Sequence, residues 1–216
     1  KVAGSCRIQD DLECNGLRCA GSLHSNGAIL SHGDVSVSGS FHGDGPVTAE
    51  GDVDVSGSCK IGGDFNVTGV VTVSGSMKSD GNIYGKGGIR IYGSGKSDGD
   101  MFSENEIEVK GSVKVDGDVR ANKVKFKAPV VFKRLLRRRA RSQVDGELVG
   151  QELVDIENIH VDGNIRGRVV KIGRNSKIEG TVEYVDDLQV AEDAVLENQP
   201  VKISAAALGE PLPQAP

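Results

Sequence analysis

The chain has 216 residues, with 30 glycines, no tryptophan and only 4% aromatic residues. Its hydrophobic share of 37%, arranged in alternating order, argues against disorder, and a formal net charge of −5 excludes a global basic field for nucleic acid. No apolar run approaches the roughly 18–20 residues that cross a bilayer, and no signal peptide is visible, so we expect a folded cytoplasmic protein.

The N-terminal segment carries three of the four cysteines, Cys6, Cys14 and Cys19, and the fourth is Cys59. No two of them form a C-x-x-C pair, so they are expected to be small apolar residues in a reducing compartment. A metal site that combines the first three with His24 would have a spacing that fits no usual zinc pattern. We therefore expect neither a metal nor a cofactor.

An 18-residue repeat runs without a gap from Leu17 to about Asn122. Its copies are LRCAGSLHSNG from Leu17, VSVSGSFHGDG from Val35, VDVSGSCKIGG from Val53, VTVSGSMKSDG from Val71, IRIYGSGKSDG from Ile89 and IEVKGSVKVDG from Ile107. Self-similarity at such a fixed period indicates a solenoid, in which each repeat is one structural unit that stacks on its neighbours.

Within this repeat lies a shorter period of six. Glycine occupies every sixth position from Gly21 to Gly99, Asn105 takes the next place, and Gly111 and Gly117 follow. An apolar residue stands four places before each of these positions, with Gly95 as the one exception, and polar residues alternate with apolar ones after it. This alternation predicts a short strand with one buried face. We interpret each glycine as a corner in the left-handed backbone region, which asparagine also tolerates.

Three such hexads predict one triangular coil, and successive coils stack in parallel at a strand spacing of about 4.8 Å. The predicted fold class is therefore all-β, a single-stranded triangular β-helix with about 17–18 residues per coil. A core this narrow has no room for tryptophan. Because equivalent positions of successive repeats lie above one another, six serines are expected to form a column along one corner: Ser22, Ser40, Ser58, Ser76, Ser94 and Ser112.

The period continues more loosely towards the C-terminus. VDGDVRA from Val115 is echoed by VDGELVG from Val144, VDGNIRG from Val161 and IEGTVEY from Ile178, and the last three copies follow a slightly shorter, 17-residue period. The step from Val115 to Val144 is longer than one coil and requires an insertion. We predict regular β-helix over 1–126, a basic loop insertion over 127–143, further coils over 144–204 and a disordered tail over 205–216.

The insertion contains the one strong block of charge in the sequence. It is read either as a solvated loop or as a contact with an anionic membrane surface or an acidic patch of a partner. Leu135 and Leu136 favour membrane or protein over nucleic acid, and no aromatic residues interleave with the charges, as single-strand binding would use. The candidate contact residues are Lys133, Arg134, Arg137, Arg138, Arg139 and Arg141.

Three other patterns favour structure over chemistry. GSGKS at 93–97 lacks the first glycine of a P-loop, because Arg90 stands there, so it is interpreted as a coincidence of the repeat. Aspartates beside glycines lack the nine-residue period of a calcium-binding β-roll and are interpreted as solvated turn residues: Asp44, Asp98, Asp100, Asp116 and Asp118. The histidines have no nucleophile beside them and are expected at the surface: His24, His32, His42 and His160.

The glycine-punctuated V-x-V-x-G-S coils, the basic insertion and the segment KIGRNSKIEGTVEY from Lys171 resemble the bactofilin family, the polymer-forming cytoskeletal proteins of bacteria. The resemblance covers about residues 4–203. It implies a right-handed triangular β-helix that polymerises end to end without nucleotide and serves as a scaffold, in some members attached to the membrane. A hydrophobic N-terminal membrane-binding segment is not seen here, so membrane contact would fall to the basic loop.

Three functions are weighed. A filament-forming scaffold is favoured, because the ends of a β-solenoid expose unpaired backbone groups that recruit another copy, and no helical cap pattern is visible at either end. A hexapeptide-repeat acyltransferase would use a histidine base, which the loop over 127–143 lacks. An adhesin or ice-binding surface would need outward ranks of threonine. We therefore expect a non-enzymatic homopolymer that binds no nucleic acid.

Overall fold

The computed structural model describes residues 1–128 and 141–208. In these residues the chain forms 25 strands and one 3-10 helix, Ala205–Leu208. The strands are β1 Cys6–Ile8, β2 Leu12–Cys14, β3 Leu17–Cys19, β4 Leu23–Ser25, β5 Ile29–Ser31, β6 Val35–Val37, β7 Phe41–Gly43, β8 Val47–Ala49, β9 Val53–Val55, β10 Ser58–Ile61, β11 Phe65–Val67, β12 Val70–Ser79, β13 Ile83–Gly85, β14 Gly88–Ser97, β15 Met101–Phe102, β16 Glu106–Val115, β17 Val119–Lys127, β18 Ser142–Val144, β19 Leu148–Ile156, β20 Ile159–Val161, β21 Ile165–Ile172, β22 Lys177–Ile178, β23 Val182–Val190, β24 Val195–Leu196 and β25 Val201–Lys202.

The strands form three parallel faces that run the length of a single solenoid. Face A contains β1, β4, β7, β10, the second halves of β12, β14 and β16, and then β18, β20, β22 and β24. Face B contains β2, β5, β8, β11, β13, β15, the first halves of β17, β19, β21 and β23, and then β25. Face C contains β3, β6, β9 and the remaining halves of the long strands. The predicted β-solenoid is confirmed.

The register follows the sequence period. Leu23 lies beside Phe41, and Phe41 lies beside Cys59, so neighbouring coils of the regular part are offset by one full repeat. Val144 pairs with Val115 across the insertion and with Val161 in the following coil, as the echoed sequence segments predict. The chain therefore resumes the same three-sided path after the insertion.

The predicted serine column also forms. Ser58, Ser76, Ser94 and Ser112 are consecutive partners in the ladder, and the Ser58 hydroxyl donates to Ser40 Oγ at 3.0 Å. This column marks the corner between faces C and A, where β12, β14 and β16 pass from one face to the other without a break.

The core is a narrow shaft of inward side chains. In β9, Val53 and Val55 are fully buried while Asp54 between them is exposed, which is the alternation that the sequence predicts. Burying one such side chain contributes about 1.5–3 kcal/mol relative to leaving it exposed. Some inward positions hold serine, and their hydroxyls reach corner carbonyls, as Ser31 Oγ does by donating to Gly33 O at 2.8 Å.

Close approach between coils, not a left-handed backbone, explains most corner glycines. In the six-residue series, φ lies in the positive range only at Gly75, Gly93 and Gly111. Asn105 has no positive φ, so the left-handed interpretation of that corner is wrong. A Cβ on Gly57 would lie 2.3 Å from Gly39 O, and one on Gly39 would lie 2.6 Å from Gly21 O. Glycine is needed because any side chain would strike the backbone of the adjacent coil.

Two of the corner aspartates are structural acceptors, which corrects their interpretation as solvated turn residues. Asp100 Oδ1 accepts the backbone N–H of Asp118 at 2.7 Å, and Asp118 Oδ1 accepts that of Glu147 at 2.7 Å. Asn82 does the same for the N–H of Asp100 at 2.9 Å. These side chains satisfy backbone donors of the following coil at the corner between faces A and B.

The segment boundaries differ in detail from those predicted. β17 ends at Lys127 and β18 begins at Ser142, so the insertion connects face C to face A. Residues 205–208, assigned to a disordered tail, instead form the 3-10 helix, in which Leu208 is buried. The 3-10 helix lies near β21, and burial of the apolar Leu208 side chain accounts for the difference. Residues 209–216 lie outside the described residues.

Candidate functional site: the two ends of the solenoid

The first coil leaves its inward side chains half-buried. The N-terminal ring consists of the apolar residues of this coil that pack against the core but keep solvent exposure: Val2, Cys6, Ile8, Leu12 and Leu17. One coil further on, Leu23, Ile29 and Val35 occupy the same faces and are at most 1% exposed. The N-terminal ring is therefore core surface that lacks a covering coil within the described residues.

The backbone of the first coil is open on the same side. The N–H of Cys6 donates to Ser22 O, and Ile8 O accepts the N–H of Asn26, so both residues pair with the second coil. In a parallel ladder the residue between them directs its backbone groups the other way. β1 and β2 each have one partner strand, β4 and β5. An edge of unpaired N–H and C=O groups is a template for another strand.

The last coils form a second open end. The C-terminal ring consists of half-buried apolar residues that touch the core: Tyr184, Leu188, Ala194 and Leu196. Val190 in the same coil is 41% exposed, although its ladder partner Ile172 is 2% exposed. Val195 and Val201 are 53% and 46% exposed. In the described parts of the chain, every large hydrophobic residue that is exposed lies at this end.

The two ends are not equivalent, because a 3-10 helix follows the last strand at the C-terminal one. It lies near β21, and Leu208 is only 7% exposed. Val190 in the last coils stays exposed. The N-terminal ring has no such element among residues 1–128 and 141–208.

The flank of face A carries a ladder of ion pairs that the sequence reading missed. In this face A charge ladder, outward basic residues lie between carboxylates of their own coil and the next. Lys96 pairs with Asp98 and, at 3.3 Å, with Asp116. Lys177 pairs with Glu179 at 2.6 Å and Glu197 at 2.8 Å. In the sequence, a lysine and an aspartate recur once per repeat. The fold shows that the column of lysines and the column of aspartates lie side by side on face A.

The lysines and carboxylates of the face A charge ladder shift one another's pKa values. The Lys114 ammonium donates to Asp116 and Asp145, and these hydrogen bonds raise the pKa of Lys114, while Lys114 lowers the pKa of Asp116. These side chains are about one-third to two-fifths exposed, so solvent screens each pair and weakens its contribution to stability. The flank is thus neutralised internally, whereas the two ends keep unsatisfied surface.

Most of the predicted basic contact lies outside the described residues: Lys133, Arg134, Arg137, Arg138 and Arg139. Arg141, the remaining member, donates from Nη2 to Ile159 O at 3.0 Å. Burial lowers the pKa of its guanidinium. Arg141 therefore ties the start of β18 to the next coil, a structural contact that the charge block did not reveal.

The other predicted motifs fall where the repeat places them. GSGKS lies inside β14, and its Lys96 belongs to the face A charge ladder. The histidines lie on outward positions and each contacts a carboxylate. Burial raises the pKa of the Cys59 thiol to about 12, in keeping with its predicted role as a small core residue.

Together the fold and its ends define a β-solenoid repeat protein with one continuous core and two incompletely covered terminal coils. The family model Bactofilin, described as polymer-forming cytoskeletal, matches residues 40–137, a little under half of the chain. This match confirms the resemblance predicted from the sequence and supports a polymer-forming cytoskeletal protein. No curated protein and no solved structure matches. Among the described residues, no helix is long and apolar enough to cross a membrane.

Proposed function

We propose that the chain is a scaffold subunit that polymerises by stacking solenoid ends, without nucleotide, in the cytoplasm. The observation that carries this proposal is the placement of the partly buried core residues, all of which lie in the first coil or the last coils of the described chain. Stacking another copy buries these side chains and pairs the open backbone edges in one step. The bactofilin match supports the polymer, and the geometry of the ends supports the way it grows.

Repeated stacking gives an open assembly. A contact between unlike ends does not close on itself, so it produces a filament whose length is set by concentration. Parallel strands on all three faces would then continue from one subunit into the next at the ordinary strand spacing. No ligand is required for such growth, because the interaction uses only apolar surface and backbone hydrogen bonds.

The test introduces a charge into each ring. Ile8→Lys places an ammonium in the N-terminal ring, and Leu196→Lys places one in the C-terminal ring; each is expected to abolish filaments in negative-stain microscopy. Thr48→Lys is the matched control, because Thr48 is outward and exposed on β8, which has a partner strand on each side within face B. Filaments of normal length from both ring variants would contradict end stacking, and compact trimers of the wild-type chain would favour the acyltransferase alternative.

We further propose that the basic segment contacts an anionic membrane surface. Each basic residue near such a surface contributes about 1 kcal/mol, so five of them suffice for salt-sensitive binding. The variant that changes Lys133, Arg134, Arg137, Arg138 and Arg139 to Gln keeps Arg141, which holds Ile159 O. Co-sedimentation with anionic vesicles is expected for the wild type and lost in the variant, with neutral vesicles as control. Equal sedimentation of both proteins would exclude this contact and leave an acidic protein partner to be sought.

A further inference from the structure

Two histidines and an aspartate converge on the flank of face A, in the second and third coils. His24 and His42 are ladder partners on β4 and β7, and their rings stack with centroids 4.6 Å apart. His24 Nε2 lies 3.1 Å from Asp44 Oδ2, and His42 Nε2 lies 2.8 Å from Asp44 Oδ1. One ligand atom from each residue falls within 4.8 Å of the other two.

This cluster departs from the pattern of the face A charge ladder. Further along the same column the outward residues are lysines, and Lys78 and Lys96 each have an aspartate two residues later. His42 keeps this arrangement with Asp44, but His24 is followed by Asn26, which pairs with Gln9 instead. One carboxylate therefore serves two imidazoles. Replacing lysine by histidine removes a permanent charge and introduces a nitrogen that can bind a metal.

We propose that His24, His42 and Asp44 form a binding site for a divalent transition-metal ion such as Zn²⁺. Two imidazole nitrogens and one carboxylate oxygen are a ligand set that suits this class of ion, with a solvent molecule in the remaining position. The side chains are 31%, 37% and 49% exposed, so they are open to an ion from solution. His24 and His42 lie on paired strands and Asp44 directly follows the second of them, which fixes the spacing of the ligands.

The proton arrangement at His24 adds a constraint. Arg7 Nη2 lies 3.4 Å from His24 Nδ1, and because a guanidinium can only donate, Nδ1 is the acceptor and Nε2 carries the proton that faces Asp44. Metal binding needs the Nε2 lone pair, so the proton moves to Nδ1 and the ring stays neutral. Nδ1–H can no longer accept from Arg7, which has to turn away. Arg7→Ala is therefore expected to bind the ion at least as tightly as the wild type.

A second cluster on the same face shows why only one site is proposed. His160 Nε2 lies 3.2 Å from Asp162 and 2.9 Å from Glu179. Here a single imidazole faces two carboxylates, and the Lys177 ammonium already occupies Glu179 at 2.6 Å. A metal would have to displace a bound cation and would gain only one nitrogen ligand. This cluster supplies the control.

The experiment titrates the full-length protein with Zn²⁺ by calorimetry and with Co²⁺ by visible spectroscopy. His42→Lys removes a ligand but recreates the lysine–aspartate pair seen at Lys78 and Asp80, so the coil is expected to fold. His160→Lys is the matched substitution at the second cluster. Cys6→Ser tests whether a nearby thiol contributes, since Cys6 and His24 line the same surface pocket.

The expected result is one Zn²⁺ per chain for the wild type, with affinity reduced roughly 10–100-fold or more in His42→Lys and unchanged in His160→Lys and Cys6→Ser. Wild-type affinity in His42→Lys would overturn the proposal. So would an equal loss in His160→Lys, loss of the ion in Arg7→Ala or Cys6→Ser, or no stoichiometric binding by the wild type. Filament formation is scored separately, so failure of this site leaves the assembly proposal untouched.

Discussion

The coils before the insertion turn their corners differently from the coils after it. At the corner between faces A and B, glycine persists from Gly27 to Gly180, and a Cβ on either Gly63 or Gly180 would meet backbone of the preceding coil. At the corner between faces B and C, glycine gives way after Gly87, and β19, β21 and β23 pass this corner through register shifts. The same three-sided path is thus built either by close contact or by a bulge.

The corner between faces C and A shows a third solution in the later coils. Asn158 and Asn175 have φ values of 54° and 57°, the left-handed conformation that the sequence reading assigned to Asn105. Their side chains are hydrogen-bonded to each other, and the N–H of Asn158 donates to Arg174 O. The left-handed asparagine corner therefore exists in this fold, but in the irregular coils and not in the regular ones.

The largest effect that separates the two regions is expected at the corner between faces B and C. A Cβ on Gly51 would lie 2.3 Å from Asp34 Oδ1 and 2.7 Å from the backbone nitrogen of Asp34. Gly51→Ala is expected to lower the free energy of unfolding by about 1–3 kcal/mol, because the coils must move apart. Arg168→Ala at the corresponding later corner removes only an exposed ion pair with Asp186, which solvent screens, and is expected to cost much less than Gly51→Ala.

Chemical denaturation of both variants measures the difference, and filament formation must be suppressed so that only subunit stability is read. Equal costs for Gly51→Ala and Arg168→Ala would show that close contact between coils is not what the early corners require. The exchange of amide protons near Gly51 would then be unchanged as well.

A smaller effect on stability is expected at a hydrogen bond that the coils before and after the insertion share. Asp100 Oδ1 accepts the N–H of Asp118 at 2.7 Å, and Asn164 Oδ1 accepts that of Thr181 at 2.9 Å after the insertion. Asp100→Ala leaves a backbone donor without its partner and is expected to cost about 1 kcal/mol. Asp100→Asn keeps the acceptor, as Asn82 does in the same column, and is expected to be nearly neutral. Equal losses in both variants by thermal unfolding would assign the effect to charge instead of to this hydrogen bond.

The sequence predicts the period of this fold better than it predicts the reasons for that period. The registers before and after the insertion and the buried columns follow from the spacing of apolar residues alone, because strand alternation and stacking leave one arrangement that hides them. One repeat does not show how closely its corners approach those of the next coil, so Gly57 was interpreted as a left-handed corner, whereas it is a point of close contact with Gly39.

Of the candidate sites, too, some could be predicted from the sequence and others could not. Open ends follow from any solenoid without a capping element, and the sequence reading expected them. The face A charge ladder and the cluster of His24, His42 and Asp44 were missed, because His24 and His42 were judged one at a time as surface residues. Reading the equivalent outward positions of successive repeats as columns would have found both, since His24, His42, Lys60 and Lys78 occupy one column.

The smallest expected effect concerns pH and distinguishes the first coils from the later ones. His32 Nδ1 contacts Glu50 and Nε2 contacts Glu13, each at 3.0 Å, so the ring ties three successive coils together. These two carboxylates raise the pKa of His32 above its usual value near 6.5. The stabilisation from the charged ring is therefore fully present below pH 6.5 and is lost as the pH rises through the folded value. Amide exchange in β2, β5 and β8 is expected to accelerate, relative to the later coils, between pH 6 and pH 8, after correction for the intrinsic rate.

His32→Gln should remove this difference, because glutamine does not titrate, while leaving the exchange of β19 and β21 as it was. A pH response of the first coils that persists in His32→Gln would assign it to other groups and would end the role given to this histidine.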